Sequence, residues 1–423
     1  MKLTKKSQQL MSFFLDKKCV DQVHQNEQTD SILERLYYDI NEAHEYVRAL
    51  KVRPMLKITT IQNVKQIPKP KTFPTDSFTK EIRQHIDEHS MKELTYTISL
   101  LGRNITIYFV VEDVNVEMHL DKYSHYVDSM LAWLYIINQY AAASSSCAKT
   151  LTIYLYFTHL PKLLPESNVH ILDENHVNTA FTYTCPTNSE IVIFRHEEWF
   201  KVFMHETFHN FALDFSDMDN SQCNEIIRRI FHVESKINLF ESYAEFWAEI
   251  MNACFCSYYE TTNKEDIAEF VTRCEVFINF ERTYSFFQMV KVLGFMGLQY
   301  KNMYTQTDTD ALLRENLYKE KTSVLSYYVI KLILLAHYPN FLNWCNKHNT
   351  SLLQFKRTTS NQLEFCKFIE KKYKSSTMLK GIKCTEKFMN HVFNQGKNKT
   401  TSSVVGDVDM LAKNMRMSIC EMG

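Results

Sequence analysis

The apolar residues of this chain change their period once, and that change divides the sequence. From Leu94 to Arg195, short β-branched and aromatic runs alternate with helical patterns; after residue 216 almost every apolar pattern has helical spacing and no strand is expected. The pattern predicts an α+β chain, with a mixed strand-and-helix half followed by an all-helical half. Within the first half, "LTYTISLLGRNITIYFVVED" reads as a hairpin whose two runs are separated by Gly102, Arg103 and Asn104. A long amphipathic helix over 120–142 follows it. Strands are expected in "KTLTIYLYFTH", "VNTAFTYT" and "EIVIFR".

At 423 residues the chain exceeds the size at which one core usually stops growing, so several units are expected. Residues 1–66 read as a helical N-terminal region and 67–77, "IPKPKTFPTDS", as a proline-rich linker. An upper unit with the sheet spans 78–216 and a helical lower unit 217–385. Residues 386–423 form a polar tail in which "MLAKNMRMSI" is a short closing helix.

Charge gives little direction, because 48 lysines and arginines meet 49 aspartates and glutamates. No whole-chain field draws the protein to nucleic acid or an anionic membrane, and neither a basic aromatic stripe nor zinc-finger spacing is present. The apolar runs "MLAWLYIINQYAAA" and "VLSYYVIKLILLAHY" are shorter than the roughly 20 residues needed to cross a bilayer. The start of the chain makes a poor secretory signal. Eleven cysteines without a framework spacing suit reduced thiols, so an intracellular, cytoplasmic location is expected.

The chemistry concentrates in "KVFMHETFHNF", residues 201–211. Four helical residues turn the chain by roughly 40° beyond a full turn, so His205 and His209 project from one face and can share a metal ion. Glu206 beside them is placed to take a proton from an activated water, the arrangement of an H-E-x-x-H zinc helix. Trp199, Phe200, Phe203, Met204, Phe208, Phe211, Ala212 and Phe215 make this helix apolar on nearly every side. Two imidazoles and a carboxylate are costly in such a helix without a partner. Two core histidines satisfied by ordinary hydrogen bonds are the competing reading. A second motif, "HIDEH" at His85–His89, fits the inverted H-x-x-E-H pattern with Glu88 as its acid, but its helix is mostly charged and reads as a solvated face.

A tight site needs a third protein ligand. A histidine six residues beyond His209, preceded by a glycine, would supply it in metzincins, but these positions hold Phe215 and Ala212. The later helix "NLFESYAEFWAEIMN" carries Glu241, Glu245 and Glu249 at every fourth position amid apolar residues.

H-E-x-x-H followed by E-x-x-A-E resembles the gluzincin metallopeptidases. The resemblance covers roughly residues 94–252, and the overall layout is similar to uncharacterised predicted metallopeptidases of large DNA viruses, with a virion location as a further implication. It implies a zincin-like catalytic domain that holds zinc through His205, His209 and Glu241, with Glu206 as general base and Glu245 as the carboxylate partner of His205. Glu249 is then a spare surface charge. "VNTAFT" resembles the Asn-Ala-Phe edge strand of thermolysin-like enzymes with one residue inserted, which makes Asn178 and Ala180 candidate substrate contacts. The implied partner is a polypeptide substrate, with neither nucleic acid nor membrane; no feature of the sequence fixes an oligomeric state. Tyr327 and Tyr328, on an apolar run, are candidates for the oxyanion donor, or else two tyrosines packing a helical core. A zincin-shaped structural or binding protein without activity is the alternative function.

Overall fold

Alternation in the first half of the chain builds one sheet, and a lone apolar helix period in the second half builds a bundle around a central helix. The structure, a computed structural model, describes residues 1–15, 23, 25–74, 77–141, 146–396 and 410–423. Strands β1 (Met55–Thr60), β2 (Lys92–Leu100), β3 (Arg103–Val111), β4 (Thr150–Thr158), β5 (Ala180–Thr182) and β6 (Asn188–Arg195) form a mixed sheet in the order β1-β2-β3-β4-β6-β5. β3, β4 and β6 are parallel, whereas β1 with β2, β2 with β3, and β5 with β6 pair antiparallel.

The expected hairpin is present, but its turn is Leu101–Gly102, with Leu100 paired to Arg103. Both turn residues have positive φ, 51° and 70°, as a two-residue connection needs to match the strand twist. β1 lies inside the region read as helical. None of its six residues is buried and Met55 is 70% exposed, so pairing to β2 rather than a buried apolar face makes it a strand.

In the first half the helices are α1 (Lys5–Leu15), α2 (Glu27–Arg48), α3 (Lys80–His89), α4 (Leu120–Tyr140), the short α5 (Glu174–Val177) and α6 (Trp199–Asn210). One face of the sheet, including Leu94, Ile107, Leu151 and Ile193, shares a core with α4 and α6. The other face, including Tyr154, Val192 and Phe194, is covered by Ile82 and Ile86 of α3 and by Ile67. The proline-rich stretch lies against this face: Lys71 and Thr72 donate backbone N–H groups to Glu190 at 2.9 and 2.7 Å, and Phe73 stacks on Tyr183.

The second half contains α7 (Ser221–Phe231), α8 (Leu239–Glu260), α9 (Ile267–Phe295), α10 (Asp308–Leu317), α11 (Lys331–Ala336), α12 (Tyr338–His348), α13 (Thr359–Lys372) and α14 (Ser376–Gly396). Every residue of α8 from Ser242 to Tyr258 is buried, so this helix is the axis of the bundle. α2, α6, α9 and α11 pack around it. Among the described residues no helix is long and apolar enough to cross a membrane.

Two expectations are corrected here. Of the tail read as polar over 386–423, α14 takes up the start, and 397–409 lie outside the described residues. Met415, Met417, Ile419, Cys420 and Met422 are core residues, and Leu3 bridges to Met422. The intervening Arg416, Ser418 and Glu421 are buried as well, which a polar reading of this segment does not anticipate. The second correction concerns thiols: Cys147 and Cys185 form a disulfide that joins the loop before β4 to the turn between β5 and β6.

Candidate metal centre

Glu198, in a left-handed conformation, precedes α6 shortly after β6, and all twelve residues of the helix are buried. The helix ends in a left-handed residue, Ala212, at φ 52°. Ala212 N–H donates to the His209 carbonyl at 3.1 Å and Leu213 N–H to that of Phe208 at 2.9 Å, a Schellman closure with alanine where glycine is usual. This reversal turns the chain so that Asp214 faces back onto the helix.

The two imidazoles and Glu241 converge. His205 Nε2 lies 3.1 Å from Glu241 Oε2 and 3.1 Å from His209 Nε2, and His209 Nε2 lies 3.4 Å from Glu241 Oε2. Ligand atoms at tetrahedral corners about 2.0 Å from zinc stand about 3.3 Å apart, so the triangle fits that ion. Among the described residues this is the one group of histidine, cysteine and acidic side chains whose ligand atoms could hold a metal.

Both imidazoles point their other nitrogen at a carboxylate. His205 Nδ1 lies 2.9 Å from Glu245 Oε2, and His209 Nδ1 donates to Asp214 Oδ2. Such partners orient ligating histidines and raise their basicity. Burial opposes charge on His205, but hydrogen bonding by Glu241 and Glu245 outweighs it and raises the imidazole to about 9. Burial likewise opposes charge on His209, and Asp214 and Glu241 raise it well above its ordinary value. Burial also disfavours the Glu241 carboxylate, yet His209 and His205 hold it well below the usual range. The cluster therefore attracts positive charge to its centre.

Glu206 sits in the same cleft, and burial pushes its carboxyl up, which suits a group that must accept a proton. Tyr327 stands on a wide helical turn, Leu325–Ile330, and its hydroxyl donates to Glu241 Oε2 at 2.9 Å. Tyr328 faces away and donates to the Met415 carbonyl at 2.7 Å, so the structure brings only the first of the two tyrosines to the site.

Asn178 and Ala180 line this cleft together with His205, Glu206 and Tyr327. β5 is the outermost strand of the sheet, antiparallel to β6, and Asn210 of α6 donates to Thr182 Oγ1 at 2.9 Å. The Asn178 side-chain oxygen is already engaged, accepting from Thr322 Oγ1 at 3.1 Å.

Glu249 is not a surface charge: it is fully buried and bonded to Lys331 at 2.5 Å. Among the described residues the HIDEH motif joins no metal-ligand cluster; His85 Nε2 meets Glu112 Oε1 at 2.7 Å and its ring stacks on His89. Sequence reasoning missed Asp214, whose signal was a lone acid in the apolar run "NFALDF", and Lys201, a lone cation within the apolar helix. Lys201 Nζ donates to Glu245 Oε1 at 2.5 Å. No family model, curated protein or solved structure matches the chain.

Proposed function

We propose that the protein is a zinc-dependent metallopeptidase of gluzincin type, with His205, His209 and Glu241 holding the ion. The observation that carries this reading is the triangle of ligand atoms with sides of 3.1, 3.1 and 3.4 Å, closed behind both imidazoles by carboxylates. The sheet with an antiparallel outer strand beside an H-E-x-x-H helix, followed by an acidic helix, supports a zincin-like domain. Zinc, when bound, supplies a Lewis acid that polarises water and a carbonyl.

The chain's own groups do the rest. Glu206 accepts the proton of the attacking water and delivers it to the leaving amine. Tyr327 supplies a hydroxyl donor beside the oxygen on which charge develops. The free edge of β5 pairs with an extended peptide through main-chain hydrogen bonds, which selects a polypeptide over a small molecule.

Metal content and turnover test the reading together. Chain purified without added metal is expected to carry about one zinc, and Glu241→Ala to lose it. Glu206→Gln is expected to keep zinc while cleavage of a mixed peptide library stops. A wild-type chain that takes up no zinc, or a Glu206→Gln variant as active as wild type, overturns the proposal.

A further inference from the structure

A buried row of charges runs from the metal-ligand triangle to the end of the chain. Glu245, which faces His205 Nδ1 at 2.9 Å, accepts from Lys201 at 2.5 Å; Lys201 Nζ stands 4.0 Å from Glu198 Oε1, and Glu198 Oε2 lies 2.6 Å from Lys162 Nζ. Lys162, Glu198, Lys201 and Glu245 expose at most 3% of their side chains. Charges this deep keep their places only while every partner is present.

The last partner of Glu198 is backbone. Its Oε1 accepts the N–H groups of Met417 and Ser418 at 2.9 and 2.6 Å. The segment that brings these donors is clamped from several sides. Glu281 accepts the N–H groups of Ile419 and Cys420 at 3.0 and 2.9 Å, Asn252 of α8 donates to the Cys420 carbonyl at 2.9 Å, and Lys331 reaches the Met417 carbonyl at 3.4 Å. The Met417 side chain lines the cleft beside Val202, Glu206 and Tyr327.

Lys162 holds the Oε2 side of Glu198, and the Met417 and Ser418 amides hold Oε1, the oxygen that faces Lys201. A turn toward Lys162 would free Lys201, and Lys201 sets where Glu245 stands against His205. We propose, resting on the metal-centre reading above, that residues 415–420 are a positioning element of that centre: the Met417 and Ser418 amides fix Glu198, which fixes Lys201, which holds Glu245 against His205 Nδ1. The segment would then do more than fill the core, because its main-chain donors set the orientation of a ligating imidazole.

The test is an atom-level change in the full chain. A synthetic C-terminal peptide, ligated within residues 397–409, carries an ester in place of the amide at Ser418; it lacks that N–H and otherwise only weakens the Met417 carbonyl, which accepts a long 3.4 Å bond from Lys331. A second ester at Gly423 is the control, because it removes a donor to the Lys2 carbonyl at 2.9 Å that lies outside both the row and residues 415–420. Glu198→Gln, made by ordinary expression, is the independent variant. Zinc affinity is measured by chelator competition, the ligand field by the visible spectrum of the cobalt-substituted protein, and stability by thermal melting.

The Ser418 ester and Glu198→Gln are expected to weaken zinc binding about tenfold and to shift the cobalt spectrum. The Gly423 ester should lower the melting temperature and leave both metal readouts unchanged. If the two esters lower melting alike and none of the variants changes zinc affinity or the spectrum, the segment is structural only and the inference falls. A wild-type chain that binds no zinc fails the proposed function instead, so the two failures are distinguishable.

Discussion

Asp214 lies five residues beyond His209, and the left-handed turn at Ala212 folds it back so that its carboxylate accepts the His209 Nδ1 proton. The partner of His205 is Glu245, on α8, so the two imidazoles of one helix are oriented from different directions. The nearer carboxylate travels with the helix that it serves.

Asp214→Asn keeps the shape of that side chain and removes its charge. Loss of a carboxylate behind a ligating imidazole typically costs 10- to 100-fold in metal affinity, and a loss in that range is expected here. Chelator competition measures it. Unchanged affinity would show that the turn alone positions His209.

The adjacent tyrosines should separate cleanly. Tyr327→Phe removes the hydroxyl beside Glu241, and kcat on a peptide substrate is expected to fall by roughly 10²-fold with zinc retained. Tyr328→Phe removes only a bond to the Met415 carbonyl, so it should cost about 1 kcal/mol of stability with kcat near wild type. Equal kcat for the two variants would remove Tyr327 from the chemistry.

What was legible in the sequence had local geometry. His205 and His209 share a face because of helical spacing, with Glu206 beside them, and Glu241 and Glu245 follow the same rule on a second helix, so side-chain placement could be read from numbering alone. Glu249 obeys that rule too, yet its surroundings were misjudged because Lys331, 82 positions later, supplies the buried partner. The last segment failed for the same reason. Glu198 meets Met417 across 219 residues, and no period in "NMRMSICEM" indicates that its polar groups will be satisfied inside the core. β1 is likewise a product of pairing rather than of its own exposed residues.

Lys201 is the cation that lets Glu245 stay ionised beside His205. Burial opposes that charge, yet Lys201 and His205 hold the carboxyl well below its ordinary range. Lys201→Met leaves a buried carboxylate short of a partner, and removing one member of such a pair costs on the order of 3–5 kcal/mol. Chemical denaturation of the metal-free protein should show this loss. A change below about 1 kcal/mol would mean that water or His205 compensates fully.

The disulfide joins residues 38 apart and holds the turn that follows β5, where Cys185 N–H also donates to the His209 carbonyl at 3.3 Å. Chain-entropy arithmetic for a loop of that length gives about 4 kcal/mol. The double variant Cys147→Ser with Cys185→Ser is expected to lose stability of that order, and unreduced peptide mapping to recover the linked pair from wild type. An equal melting temperature with and without reductant would contradict the bridge.

Acid should destabilise the fold before its carboxylates titrate. His44 is held down to about 4 against an ordinary 6.5, chiefly by burial, with Arg48, Lys264 and the chain's amino terminus also disfavouring its charge. Its ring stacks on Tyr258 at 4.9 Å. A folded value below the unfolded one means that the neutral form is favoured in the fold. The contribution is therefore complete above pH 6.5 and is lost as pH falls from 6.5 toward 4. A shift of that size is worth up to about 3 kcal/mol. His44→Phe keeps an aromatic ring on Tyr258 and cannot take up the proton, so its stability should fall less than that of wild type between pH 7 and pH 4. Parallel curves for the two proteins across that window would show that His44 takes up its proton in the fold as readily as in the unfolded chain, and that the acid sensitivity has another origin.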